Sequence, residues 1–565
     1  MRRLYRDYLE LTGLHNRQVL TMVLDALLVG ALGTALVTLL AETVKRDVQG
    51  QSSSAMMVGF VVALVAYLWL QRGSARRIVR ASENASERLR LRILDAFLNA
   101  PLQNIELTPE HIKRLLLTRD VIQVTGALSV WVAMIVSATT ALCSLVYLAW
   151  LSMRAALVVW TVIIVAVVVY QLLIRKTFAH MREAYQLANS GLGFADDIML
   201  GAKELKLDPN YSRYFWQNDL QATLKQATSA AIGFKSVQHD IGLVGTVAFY
   251  GLAGMAAFGF ARMLQLDQAV VGSIVLVMMF LQAHIQGMVQ HMPALTEARQ
   301  AQLRIEHVIH ALEPISEVKT IASEISPLDP DWQALRLKSV SFSYSPDGDS
   351  EGFCLNDVDL EIQRGSTVFI VGGNGSGKTT LAKLLLGLYR PQRGCVLLDD
   401  MPLNDDQVLS YRSRFCAVFS DVHLFRRDPQ HDPGFVDGQL QKTLSELALP
   451  LQLNADGRLD VRALSQGQKK RMASAFAMIG QRPICLFDEW TADQDPEFRH
   501  YFYEYFLPRL RREGRTVIVI THDDRHFHRA DQLVRLDAGR VLEVRQQAQA
   551  FSAGIGDITD KGIIK

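Results

Sequence analysis

Cysteine is scarce and scattered. The five present, Cys143, Cys354, Cys395, Cys416 and Cys485, show no metal-ligand spacing. Their odd number argues against a disulfide framework and suits reduced thiols in a chain whose soluble part faces the cytoplasm. An excess of one charge is also missing. The 59 Lys and Arg against 57 Asp and Glu leave a net charge of +2, which suggests no nucleic-acid partner. The first apolar segment lacks the short core and small-residue cleavage site of a signal peptide, so none is expected. The segment AALVVWTVIIVAVVVYQLLI, residues 155–174, lacks charge altogether. A buried helix of a soluble protein is rarely apolar on every face over such a length.

What is present begins with apolar runs. A bilayer crossing takes about 20 mostly apolar residues. Six segments qualify: Val19–Leu40, Ala55–Leu70, Ala127–Leu151, Ala155–Ile174, Ile241–Phe260 and Ala269–Met288. Basic residues crowd alternate ends: Arg2, Arg3, Arg6 and Arg17; then Arg72, Arg76, Arg77, Arg80, Arg88, Arg90 and Arg92; then Arg175, Lys176 and Arg182. The opposite loops carry only Lys45 and Arg46, Arg154, and Arg262. The bias places both termini inside. The inner connections, Gln71–Gly126 and Arg175–Asp240, are long and rich in helix formers. They read either as extensions of the membrane helices, turning back near Asn99–Glu110 and Ser190–Glu204, or as solvated loops. Asp25 is the acid most plausibly inside a span, where such residues are costly and often functional; its place near the cytoplasmic end also lets it reach the interface.

The most informative stretch follows much later. Thr367-Val368-Phe369-Ile370-Val371 leads into Gly372-Gly373-Asn374-Gly375-Ser376-Gly377-Lys378-Thr379-Thr380, and a helical pattern opens at Leu381. Strand, glycine loop and helix are the setting of a P-loop. Its glycines let backbone N–H groups face phosphate oxygens, the helix N-terminus favours negative charge, Lys378 can reach the β and γ phosphates, and Thr379 can hold Mg²⁺. Ile484-Cys485-Leu486-Phe487-Asp488-Glu489 reads as a buried strand ending in two carboxylates. Asp488 would face the same Mg²⁺, and Glu489 would polarise an attacking water. Thr516-Val517-Ile518-Val519-Ile520 ends in Thr521-His522, again at a strand's C-terminal edge, where ligands of open α/β sheets gather. Leu464-Ser465-Gln466-Gly467-Gln468 precedes another helix, and its Ser and Gly form an anion site at the helix start. A second phosphate site in one domain suggests that it serves another molecule's nucleotide. Tyr344, closing the strand pattern Leu335–Tyr344, is either a purine-stacking ring or an ordinary strand aromatic. Trp490 has no evident role in the sequence.

Together these motifs resemble ATP-binding cassette (ABC) transporters. GGNGSGKTT is similar to their Walker A loop, LSQGQ to their signature, ICLFDE to Walker B, Ala492–Asp495 to the D-loop, and Thr521-His522 to the switch histidine. LSQGQ is far more specific than the P-loop, which many NTPases share. The resemblance covers essentially the whole chain. It implies a membrane all-α domain with six transmembrane helices fused to a cytoplasmic α/β P-loop ATPase domain. The expected limits are 1–310 for the membrane domain, 311–332 for a linker, 333–545 for the ATPase and 546–565 for a tail. The resemblance implies ATP and Mg²⁺, with ATP on Tyr344 and Gly372–Thr380, the partner's ATP on Leu464–Gln468, Mg²⁺ on Thr379 and Asp488, Asp495 in the D-loop, and Glu489 and His522 in catalysis. One P-loop and one signature per chain imply a homodimer with head-to-tail ATP sites.

AVFSDVHLF, LSQGQKKR, FDEWTADQDPEFR and ITHDD are similar to Gram-negative exporters of cyclic peptides, lipopeptides and siderophore precursors. That implies a small peptide-like cargo and an inner-membrane location. A lipid flippase, a general multidrug exporter and an ATP-gated regulator that does not pump are the alternatives. The chain departs from the wider family at Phe419-Ser420-Asp421, where most members carry the Q-loop glutamine.

Overall fold

The computed structural model describes residues 8–48, 54–157, 197–255, 268–312, 331–344, 353–404, 407–425, 438–449 and 464–547, with scattered positions between 159 and 194. Two compact units emerge: Met1–Phe97 with Leu107–Glu313, and Leu98–Glu106 with Pro314–Lys565.

The first unit is helical. Its elements include α1 (Asn16–Val48), α2 (Ser54–Asn99), α4 (Glu110–Leu115), α5 (Val121–Leu151), α6 (Gln221–Gly254) and α7 (Gln268–Leu312); α3 (Leu102–Leu107) lies between α2 and α4 in sequence. Among the described residues four helices are long and apolar enough to cross a membrane: Asn16–Arg46, Ser54–Asn99, Glu110–Leu151 and Val270–Leu312. They carry the first, second, third and sixth expected spans. The fourth lies largely outside the described residues, and the fifth begins within α6 and ends outside them. Trp69, Trp150, Val58 and Val62 are strongly exposed. Apolar surface of that extent marks contact with lipid or another protein.

Helix α2 decides the reading of the first inner connection. Its 46 residues make a rod of about 69 Å, twice the roughly 30 Å of hydrocarbon, so its Arg-rich half is a helical extension and no solvated loop. It stops before Pro101, where proline disfavours helical geometry in the residue ahead of it. The Pro101 carbonyl accepts from Asn104 and Ile105 as α3 starts, and Pro109 caps α4. The second turn, Ser190–Glu204, lies partly outside the described residues.

Two ion pairs in this unit join separate helical segments. Asp25 meets Arg77 of α2 at 2.6 Å, which gives the acid a structural partner. Asp120, completely buried, receives Arg304 Nη2 at 2.7 Å and Nε at 3.1 Å. Removing one member of a buried pair strands the other charge and costs about 3–5 kcal/mol. Arg304→Met is therefore expected to lower the melting temperature in detergent markedly, and adding Asp120→Asn to recover part of the loss. An unchanged melting curve for the single variant would contradict the role of the pair.

Among the described residues the second unit holds two sheets. One is antiparallel, in the order β2 (Cys354–Gln363), β1 (Ala334–Ser343), β4 (Arg393–Leu398), β5 (Met401–Pro402). The other runs β10 (Arg540–Gln546), β9 (Gln532–Asp537), β3 (Thr367–Gly372), β8 (Thr516–Ile520), β7 (Ile484–Asp488), β6 (Phe415–Val418). Neighbours from β9 to β6 are parallel. Strands β7 and β8 are buried at every position, as expected of a sheet covered on both faces. Val368, Ile370, Leu486, Ile518 and Ile520 enter one apolar core, while Phe369, Val371, Cys485, Phe487, Val517 and Val519 enter the other. This alternation is the two-residue period of a strand. The expected linker falls mostly outside the described residues, but Trp332 is buried in the first of these cores. All five cysteines are free thiols.

Candidate functional site

Parallel pairing brings the expected site residues to one edge. Ile370 of β3 sits opposite Ile520 of β8, and Ile520 opposite Asp488 of β7. The loops leaving these three adjacent strands therefore share one rim. From β3 the chain enters the glycine loop and α8 (Lys378–Leu385). Gly377 has φ of 102°, and a Cβ there would lie 2.5 Å from the Phe353 ring, so only glycine fits. Lys378 is nearly buried, with Nζ donating to the carbonyls of Gly372 at 3.2 Å and Gly373 at 2.9 Å. Burial pushes its ammonium pKa down, opposed by the charges of Glu489 and Asp488.

Thr379 Oγ1 donates to Asp488 Oδ2 at 3.2 Å. Asp488 is buried and its Oδ1 has no partner among the described residues. Burial raises its pKa, and the neighbouring Glu489 charge adds to that. A buried, unsatisfied carboxylate oxygen beside a hydroxyl fits a hard divalent cation. One residue on, Glu489 Oε1 lies 3.2 Å from His522 Nε2, both partly exposed.

Tyr344 closes β1, and its hydroxyl pairs with Thr380 Oγ1 at 3.0 Å. Its ring meets Tyr389 edge-on. The Tyr389 hydroxyl hydrogen-bonds Glu106 on α3, and Lys383 Nζ donates to the same carboxylate at 2.8 Å. Segment Leu98–Glu106 thus belongs to the ATPase unit, although in sequence it interrupts the helical one.

The LSQGQ segment opens α9 (Gln466–Ile479) with a capping box. Ser465 Oγ accepts from the Gln468 N–H at 3.3 Å, and Gln468 Oε1 accepts from the Ser465 N–H at 2.9 Å. This satisfies two donors of the helix start and leaves the serine hydroxyl proton for a ligand. Gly467 is packed against backbone: a Cβ would fall 2.5 Å from the Asp493 carbonyl. Outside the backbone ladder of α9 and among the described residues, the hydrogen bonds of Ser465, Gly467 and Gln468 run to one another, to Lys469 and to Gln494, none to the glycine loop. Asp495 caps the helix Pro496–Tyr501 and also receives Arg471 at 3.2 Å.

A family model described as ABC transporter matches residues 355–492. Over 538 residues, 92% of this chain and 93% of the relative, the chain is 32% identical to the ATP-binding protein SyrD of Pseudomonas syringae pv. syringae. The chain belongs to the ABC transporter family. Like other ABC transporters it couples ATP hydrolysis to transport. It is also 34% identical to an ATP-dependent lipid A-core flippase of Bordetella avium, over only 35% of this chain and 36% of the flippase. A bacterial Atm1-family ABC exporter with ATP bound superposes with a TM-score of 0.74 at 19% identity, covering 94% of this chain and 96% of that one. The fold is thus that of an ABC exporter, membrane-embedded and multi-pass.

In this ABC transporter, Ser420 is exposed, two residues beyond β6 and beside the strand that carries Asp488. Its side chain is shorter than the glutamine that the resemblance leads one to expect at this position. Trp490, unexplained in the sequence, is a buried wedge: it stacks on Phe502 at 4.3 Å and donates to Ser474 Oγ at 2.8 Å. Lys470 reads as a surface lysine in LSQGQKKR, yet it is 1% exposed. The clue was helical spacing, since Gly467, Lys470 and Ser474 fall on one face.

Proposed function

We propose that this ABC transporter is one half of a homodimeric pump exporting a peptide-like secondary metabolite (a cyclic peptide, lipopeptide or siderophore precursor) across the bacterial inner membrane. Both termini would be cytoplasmic, with six spans per chain. The observation that carries the reading is the match to SyrD over nearly the full length of both chains, together with AVFSDVHLF, LSQGQKKR and FDEWTADQDPEFR. A lipid cargo is favoured less, because the lipid A-core flippase match spans about a third of the chain.

Cargo would enter an inward-facing cavity between two membrane domains. Two ATPs would then join the ATPase domains, each held by Gly372–Thr380 of one chain and Leu464–Gln468 of the other, with Tyr344 against adenine. Lys378 would exchange its two loop carbonyls for phosphate oxygens. Thr379 and Asp488 would hold Mg²⁺, which neutralises phosphate charge when bound. Glu489 would accept a proton from the attacking water, with His522 steadying the γ-phosphate and Asp495 at the dimer seam. Glu106, hydrogen-bonded to Tyr389 and Lys383, would carry cargo occupancy toward Tyr344, a task usually shared with the glutamine that Ser420 replaces.

ATPase assays in proteoliposomes test the cargo. A cyclic lipopeptide is expected to raise turnover severalfold, above the effect of lipid A or a cationic drug. Equal stimulation by all three would reject peptide-like specificity, and no turnover under any condition would favour a non-pumping regulator.

A further inference from the structure

Lys470 ends in a charge yet has almost no access to water. Its Nζ donates to the carbonyl oxygen of Glu489 at 2.9 Å and lies 2.6 Å from Asp493 Oδ2. A buried ammonium needs both a hydrogen-bond acceptor and a counter-charge to be tolerated, and these two neighbours supply them. The acceptor belongs to a residue that needs restraint. Glu489 adopts φ of 48° and ψ of 41°, a left-handed conformation unusual for anything but glycine, Asn or Asp. Residues held in this way persist only where their surroundings over-determine them. The Glu489 N–H is already fixed by the Ile520 carbonyl of β8 at 3.0 Å. Lys470 holds the other end. With both flanking peptides anchored, the side chain is directed at His522.

The anchor is itself well fixed. Lys470 projects from α9, which is fastened to the segment after β7 by Gln494 Nε2 on the Gly467 carbonyl at 3.0 Å, Arg471 Nε on Gln494 Oε1 at 2.8 Å, and Trp490 Nε1 on Ser474 Oγ. Arg471 also lies over the Phe498 ring, 3.5 Å from its centre.

We infer that Lys470 is a positioning residue for hydrolysis: it clamps the Glu489 backbone in the turn that aims the carboxylate, with Asp493 balancing its charge. It thereby links the helix start at Ser465 to the carboxylate at Glu489 within one chain. In a head-to-tail dimer, the grip on one nucleotide would be mechanically tied to attack on the other. This rests on the reading of Glu489 as the base. Lys470 meets no nucleotide in that arrangement, so its loss should alter turnover and not ATP affinity.

The test uses the full-length protein in proteoliposomes, with steady-state ATPase kinetics, fluorescent-ATP binding and melting curves. Lys470→Met is expected to lower kcat by about 10- to 100-fold, the penalty of a slightly misplaced catalytic group, with KM and nucleotide affinity near wild type. Lys470→Arg, which keeps a charged donor, should restore much of the rate. Asp493→Asn should lower kcat severalfold at constant KM, and its partly exposed side chain makes folding failure a minor concern should Lys470→Met not fold. Wild-type kcat in Lys470→Met would overturn the inference, as would wild-type kcat in Asp493→Asn if Lys470→Met is unfolded. So would parallel losses of kcat, nucleotide affinity and melting temperature, because those mark a merely structural lysine. Glu489→Gln turning over at the wild-type rate would sink the underlying assignment. An inactive Glu489→Gln beside a fully active Lys470→Met would sink only the role of Lys470.

Discussion

Glu489→Gln is expected to lower ATP turnover by about 10²- to 10⁴-fold, the usual contribution of a general base, while ATP still binds. The geometry separates the two carboxylates at the end of β7. Asp488 points at Thr379, is buried, and has one oxygen without a partner among the described residues. Glu489 is turned away by its left-handed backbone, stays partly exposed, and meets His522 at 3.2 Å. One carboxylate is thus placed to bind a cation and the other to meet water. Glutamine keeps the size and the hydrogen bonding but accepts a proton poorly, so bound ATP should accumulate. Radiolabelled ATP retained after gel filtration, set beside phosphate release, measures both halves of this expectation. Wild-type phosphate release from the Gln variant would remove Glu489 from the role of base.

Lys378→Ala should be more severe for binding. The lysine is the cation in the glycine loop, and its present hydrogen bonds are to the carbonyls of Gly372 and Gly373, which phosphate oxygens can replace. Burial already disfavours its charge, so an anionic ligand is what restores a full counter-charge. Loss of one such charged donor from a phosphate site costs about 10²- to 10³-fold in turnover, and here affinity should fall with it. The expected result is negligible ATP-driven export in inside-out vesicles and weak fluorescent-ATP binding, with the melting curve little changed. Unchanged export would reject the glycine loop as the site.

Much of this was legible in the sequence because the local signals are strong. Strands β3, β7 and β8 are uninterrupted apolar runs, since the sheet is covered on both faces. Gly372 and Gly377 are forced by backbone and side-chain contacts, and Gly375 by a φ of 76°. The serine and glutamine of LSQGQ spell a capping box. Other features were hidden for physical reasons. Hydropathy marks only residues 55–70 of α2, because the Arg-rich continuation remains helical while ceasing to be apolar. The prolines at 101 and 109 announce a turn but not its partners: Glu106 and Lys383 are 277 residues apart in sequence. Trp490 and Lys470 belong to one buried contact between α9 and the segment after β7, and no local pattern encodes a meeting of two elements 20 residues apart.

The central proposal is that each ATP is held between two chains. Co-expression of Lys378→Ala and Gly467→Asp chains, carrying different tags, tests it most directly. Gly467→Asp puts a Cβ against the Asp493 carbonyl and a negative charge at the helix start proposed to bind phosphate. Each homodimer should then trap no nucleotide with vanadate. The doubly tagged heterodimer retains one intact pair, the glycine loop of the Gly467→Asp chain facing the signature of the Lys378→Ala chain, and is predicted to trap nucleotide at one site per dimer. Trapping by Gly467→Asp chains alone at the wild-type level, or none in the heterodimer, would contradict the shared site.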